Sequence, residues 1–210
     1  MGKKVNPIAF RLGVYNNWKS KWFAKGSDYA KFLLQDNQIR ELIKSKMGPQ
    51  AAISQIQIER GIGRLDVIIL TARPGVLIGR GGKQLESLRA DLTKKINEKF
   101  RLEIVEVKKA DLDAAVVAQT IGMQISKRMS FRRASKQALQ RVKDAGAAGV
   151  MIRVAGRLDG AEISRSETFK DGSIPLSTLR QDIGFSNYAA PTTYGIVGIK
   201  VWINLGEKVK

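Results

Sequence analysis

Apolar positions recur every third or fourth residue in some stretches and alternate in others, and the changes mark the elements. Residues 1–26 show little period and are expected to be irregular and extended. Ser27 has the chemistry of a helix N-cap, with Asp28 in the first turn. That helix is expected to run to Lys46 and stop at Gly48-Pro49, with Phe32, Ile39 and Ile43 on its core face. Ile53, Ile56 and Ile58 predict a strand, and Ile62-Gly63 a turn. Residues 65–72 predict a second strand, and its continuous run Val67-Ile68-Ile69-Leu70 predicts burial on both faces. Val76, Leu77 and Ile78 form a short apolar helix leading into a glycine-rich stretch. Leu85, Leu88, Leu92 and Ile96 then trace one face of a helix over 84–99, and 102–107 predicts a third strand.

The pattern changes at 108–111, the expected domain boundary. Val117, Ile121, Ile125 and Met129 recur every fourth residue, so a helix is predicted, with Gly122 allowing close packing. Ala134, Ala138, Val142 and Ala145 form a thinner stripe on a basic helix. Residues 150–157 predict a strand, Asp159-Gly160 a hairpin turn, and 161–169 its return, with a further turn at Asp171-Gly172. Residues 179–183, 192–194 and 196–203 complete a sheet. Val197, Ile199, Val201 and Ile203 alternate strictly, so one face is core, and Trp202 falls on the other. Arg153, Arg157, Arg165 and Arg180 decorate these strands. The order predicts an α+β protein: an N-terminal domain over 1–107, with its core at about 38–107, then a C-terminal domain over 108–210 of two helices on a mainly antiparallel sheet.

Charge narrows the function. Lys and Arg number 37 against 19 Asp and Glu in 210 residues, a net charge of +18. A chain this basic finds its complement in polyphosphate, which releases counterions on binding. RNA is the expected partner; DNA and membrane are not. The chain has no Cys and no His, which excludes disulfides, Cys/His zinc sites and every triad with a His base. No catalytic residue, metal or cofactor is expected.

Gly79-Arg80-Gly81-Gly82, followed by Lys83, is the stretch that carries chemistry. Glycine lets a ligand approach bare backbone, and helix-initial N–H groups favour an anion. The stretch fails as a nucleotide P-loop, because Gln84 follows Gly82-Lys83. It fails as a dinucleotide fingerprint, because Gln84 also stands where the third glycine belongs. It fits a GXXG loop, which clamps about four nucleotides of single strand in KH domains. The surrounding helix, two strands, short helix, GXXG, helix and strand resemble a KH domain of the second type. Two more basic sets stand out. Residues 127–143 hold seven bases and no acid, among them Lys127, Arg128, Arg132, Arg133 and Lys136. The N-terminal arm carries Lys3, Lys4, Arg11, Lys19 and Lys21 between Phe10, Tyr15, Trp18, Trp22 and Phe23, which suits phosphate contact and base stacking or pins the arm to the domain behind it.

The opening residues 1–13, Gly75 through Gly82, Phe131-Arg132-Arg133-Ala134, Gly156 through Ile163 and Thr192 through Ile203 together resemble the bacterial ribosomal protein S-three family over nearly the whole chain. The resemblance implies a cytoplasmic constituent of the small-subunit head. It implies binding to small-subunit ribosomal RNA, proteins ten and fourteen as neighbours, and a place at the messenger RNA entry channel with proteins four and five. Arg132, Arg133 and Lys136 match the family residues associated with unwinding messenger, work driven by translocation and not by nucleotide hydrolysis. Family members often carry His where Asn6, Ser177 and Pro191 stand, so altered local packing is expected there. The tail after Gly206 is short, so contacts made by longer tails are expected to be missing. A free KH regulator or RNA-processing factor is the alternative, though only one GXXG is present. A nuclease or nucleotide-dependent enzyme is disfavoured by the absence of His and of a complete P-loop.

Overall fold

The structure is a computed structural model that describes residues 4–61, 63–96 and 98–208. Lys3 and Ile62 therefore lie outside the described residues. The chain folds as two compact units. One is Trp18–Lys108; the other joins the residues through Asn17 to those from Lys109 on.

The arm is more ordered than its weak period suggests. Pro7–Phe10 forms one helical turn, α1, whose N-cap Asn6 accepts from the Ile8 N–H at 2.9 Å. Arg11 follows, fully buried. Its guanidinium donates to the carbonyls of Pro7, Leu176, Thr178 and Gln181 at 2.6–3.2 Å. These bonds tie the first part of the arm to the C-terminal unit, which redraws the expected 1–107 division. Burial pushes the Arg11 pKa down, and the charge of Asp182 partly offsets this.

The rest of the arm belongs to the unit Trp18–Lys108. Ser20–Lys21 is a short strand, β1. The helix α2 is Ser27–Met47. Its N-cap is Gly26, at φ 58°, and not Ser27, which is already helical; no side chain caps it. β2 is Ile53–Gly61, β3 is Arg64–Thr71, α3 is Pro74–Ile78, α4 is Lys83–Lys95 and β4 is Phe100–Glu106. The sheet order is β1-β2-β3-β4, with β2 antiparallel to β3 and β4 parallel to β3. β3 is not buried on both faces. Leu65, Val67, Ile69 and Thr71 are buried, while Asp66, Ile68 and Leu70 are only half-buried. Helices cover one face alone, where Ile39, Ile43, Leu77, Leu88 and Leu92 meet the strands. α4 stops at Lys95, because Ile96 is extended.

A buried charge holds this unit's N-terminal edge. Asp36, 3% exposed, accepts from the Ser20 hydroxyl at 3.0 Å, the Trp22 indole at 2.8 Å and the Arg60 guanidinium at 2.8 Å. Arg60 lies over the Phe32 ring, 4.6 Å from its centroid. Trp22 packs on Tyr29 and Phe32 at 5.4 and 5.8 Å. The aromatic at 22 therefore pins the arm, whereas Trp18 and Phe23 are exposed.

In the other unit, α5 is Ala114–Ser126, capped by Asp113, and α6 is Phe131–Asp144. β5 is Gly149–Gly156, β6 is Arg165–Gly172, β7 is Gln181–Thr192 and β8 is Gly195–Glu207. The order is β6-β5-β8-β7, all antiparallel. Val197, Ile199, Val201 and Ile203 face the helices and are buried. A Cβ on Gly122 would meet the Tyr188 ring at 2.3 Å, so the glycine lets α5 press against β7. Asp159-Gly160 is not a tight hairpin turn. It lies in a 3-10 turn, Leu158–Gly160, inside a longer connection, and the return strand starts only at Arg165. The expected fragments at 179–183 and 192–194 are largely one long edge strand, β7. Pro191 is tolerated there because an edge strand can lack one donor. Trp202, on the other face, is 8% exposed and packs on Phe185, 5.2 Å away.

Replacing Asp36 by Ala leaves the Arg60 charge buried without its main partner. We expect a loss of roughly 3–5 kcal/mol of stability by urea unfolding.

Candidate nucleic-acid interface

The glycine loop is built by opposed constraints. Leu77 is fully buried and anchors α3, whose last turn closes with the Gly79 N–H donating to the Gly75 carbonyl at 2.9 Å. Gly79 sits at φ 71°, ψ 178°, a region open essentially to glycine. A Cβ there would also meet Gln84 Cγ at 2.8 Å. Arg80–Gly82 forms a 3-10 turn with Gly81 and Gly82 at φ 62° and 78°. Around these two the space is open, so their missing Cβ atoms serve conformation and access. Gly82 caps α4 with no side-chain bond to the first-turn N–H groups. Those donors face an exposed loop. Arg80, Gly81 and Lys83 are exposed; Gly79 and Gly82 are half-buried. Among the described residues, neither Arg80 nor Lys83 forms an ion pair. The loop thus presents bare backbone, uncapped amides and two unmatched cations.

The second surface is the solvent side of α6. Phe131, Ala134, Ala138 and Val142 are buried, which turns Arg132, Arg133 and Lys136 outward. Arg133 and Lys136 have no ion pair among the described residues. Arg132 is partly occupied: it donates to Glu167 on β6 at 2.9 Å and lies 5.5 Å from the Phe131 centroid. That hydrogen bond holds the Glu167 carboxyl below its ordinary range and raises Arg132. The pair therefore persists above the usual carboxylate pKa and is lost as pH falls through the lowered one. Lys143 is matched in the same way by Asp171 at 2.9 Å. Just before α6, Lys127 and Arg128 are exposed, and Arg128 adopts φ 64°. A left-handed arginine where glycine would be easier is a local strain.

The arm is uneven. Lys4 and Lys19 are exposed, and Lys21 is exposed but paired with Glu59 at 2.7 Å. Arg11, expected to touch RNA, is instead a buried brace whose donors are taken by backbone carbonyls. Two features escape sequence reasoning. Glu167 is 35 residues from Arg132, and no local pattern links them. The strain at Arg128 leaves no compositional trace.

A KH domain model matches residues 38–112, and a model described as the C-terminal domain of ribosomal protein S3 matches residues 121–203. The small ribosomal subunit protein uS3 of Chlamydia trachomatis serovar D is 51% identical over 208 residues, spanning 99% of this chain and 92% of that protein. The uS3 of Chlamydia muridarum is 50% identical over the same shares. This chain belongs to the uS3 family. The KH match contains the GXXG loop, and the uS3 C-terminal match contains α6, so both surfaces lie within family-matched sequence. The family is structural and non-enzymatic, as the missing His and P-loop led us to expect.

Arg128→Gly should relieve the left-handed strain and raise stability by about 1 kcal/mol. The same change removes an exposed cation, so RNA affinity should fall. Thermal melting and a filter-binding titration on one preparation check both signs.

Proposed function

We propose that this chain is a structural constituent of the cytoplasmic small ribosomal subunit that holds RNA at two separate surfaces. The GXXG loop grips ribosomal RNA through the Gly81-Gly82 backbone and the uncapped start of α4, with Arg80 and Lys83 supplying charge. The α6 face, with Lys127 and Arg128 beside it, holds messenger RNA at its entry. Arg133 and Lys136 bind strand phosphates directly, and Arg132 acts as a tethered cation steadied by Glu167. These side chains hold separated strands while the ribosome translocates, so neither bound nucleotide nor acid–base chemistry is needed. Lys4, Lys19 and Lys21 add phosphate contacts from the arm. Proteins ten and fourteen are the proposed head neighbours, with proteins four and five beside the entry. No helix among the described residues is long and apolar enough to cross a membrane.

The observation that carries the messenger reading is the pairing pattern on α6. In a strongly basic chain with few carboxylates, Arg132 and Lys143 are matched while, among the described residues, Arg133 and Lys136 are not. Cations left unmatched on one helix face repel unless a polyanion joins them. A free KH regulator does not account for the family match over the C-terminal half.

Changing Arg133 and Lys136 together to Ala should slow translation of hairpin-bearing messengers by roughly threefold to tenfold, as expected for losing two modest charge contacts. Unstructured messengers and subunit assembly should be unaffected. Equal rates on structured and unstructured templates would overturn the entry-channel role, and absence of the wild-type chain from small subunits would overturn the ribosomal one.

A further inference from the structure

The C-terminal sheet has a face that neither surface uses. Along β5 and β8, Ile152, Val154, Ile199 and Val201 point at α5 and α6 and are buried. The alternate positions point the other way. Strand register sets Thr168, Arg153, Lys200 and Asn187 in one row across all four strands, and all four are exposed. Arg153 and Lys200 are thus directly opposite on the two central strands, a like-charge pairing that is unfavourable alone. Lys170 stands exposed in the adjoining row, opposite Met151.

Among the described residues, nothing neutralises this set. β6 has carboxylates, but Glu167 and Asp171 point to the helix side and are taken by Arg132 and Lys143. Among the described residues, the Arg153 guanidinium reaches only the neutral Ser166 hydroxyl, at 3.2 Å. Among the described residues, Arg153, Lys170 and Lys200 have no ion pair. On the other side of the row the positions are small: Ala155, Gly198 and Ala189 are in register.

We propose that this open sheet face is a further RNA-docking surface that takes the phosphate backbone of double-helical RNA. The proposal rests on the reading of the chain as an RNA-binding protein and adds a site and a ligand form to it. Charge complementarity selects a polyanion. The aromatic content selects a duplex: single-strand-binding sheets present exposed rings for base stacking, whereas Trp202 is buried against Phe185. A flat row of cations flanked by small residues suits a rigid backbone that is contacted from outside and whose bases stay paired.

The test uses the full-length chain with Arg153, Lys170 and Lys200 all changed to Gln. The probes are a blunt RNA duplex of about 16 base pairs, the span of known duplex-binding modules, and a single-stranded RNA of matching composition, each titrated across a salt series. The three side chains are exposed, so melting should be unchanged. Duplex affinity should drop by about tenfold or more, and the slope of log K against log salt should shrink by roughly 2–3, the loss of three phosphate contacts. Single-strand affinity should hold. Arg80→Asp in the glycine loop should do the reverse. Unchanged duplex binding by the triple variant overturns the proposal, as does an equal loss for both probes, which marks a diffuse charge effect. Normal duplex binding combined with failure to enter small subunits assigns the face to a protein partner and also overturns it. If the wild-type chain binds neither probe, the RNA-binding reading itself fails, an outcome distinct from the others.

Discussion

Scarcity of negative charge governs this molecule. With 37 basic side chains and 19 acidic ones, a surplus of 18 cations cannot be matched one to one internally. The fold places its carboxylates where they decide geometry. Asp36 gathers Ser20, Trp22 and Arg60 at the start of the KH unit. Asp91 on α4 receives Lys46 from α2, bracing two helices of that unit. Glu167 and Asp171 fix two bases of α6 against β6. What remains is a surplus of cations on the glycine loop, the α6 face and the open sheet. Self-repulsion among them weakens the isolated fold, and a bound polyanion offsets it.

Much of the architecture was legible because burial is periodic. Leu88 and Leu92 lie where a 3.6 period puts them, and Val197 through Ile203 alternate as a half-covered strand must. The glycine loop was legible for another reason: the helices and strands around it match a KH core, and glycine suits the positive φ that all three here adopt. The failures have physical causes. The run Val67-Ile68-Ile69-Leu70 looks doubly buried, yet only one face of its sheet carries helices, so composition overstates burial. β7 was seen in fragments because Gly184, Ser186, Asn187 and Pro191 dilute its strand signal. Ser27 lost the cap to Gly26 because the chain enters α2 with positive φ.

The candidate site divides along the same line. Residues whose role depends on backbone, Gly79 through Gly82, could be named from sequence, since conformation is local. Roles that depend on which charges meet could not. Arg11 and Arg132 look alike in the sequence, but one faces carbonyls of a distant loop and the other a carboxylate on a neighbouring strand. Register, which places Arg153 against Lys200, is likewise a property of the folded sheet alone.

The brace at Arg11 also sets an order of events during synthesis. Three of its four acceptors, Leu176, Thr178 and Gln181, lie 165 to 170 residues further along the chain. The unit from Trp18 to Lys108 contains all its own strands and helices and emerges from the translating ribosome well before those acceptors exist. The middle of the polypeptide can therefore complete its fold first, while the leading segment waits for the trailing half. Any pause between these two halves would leave residues 4–17 without a place to settle.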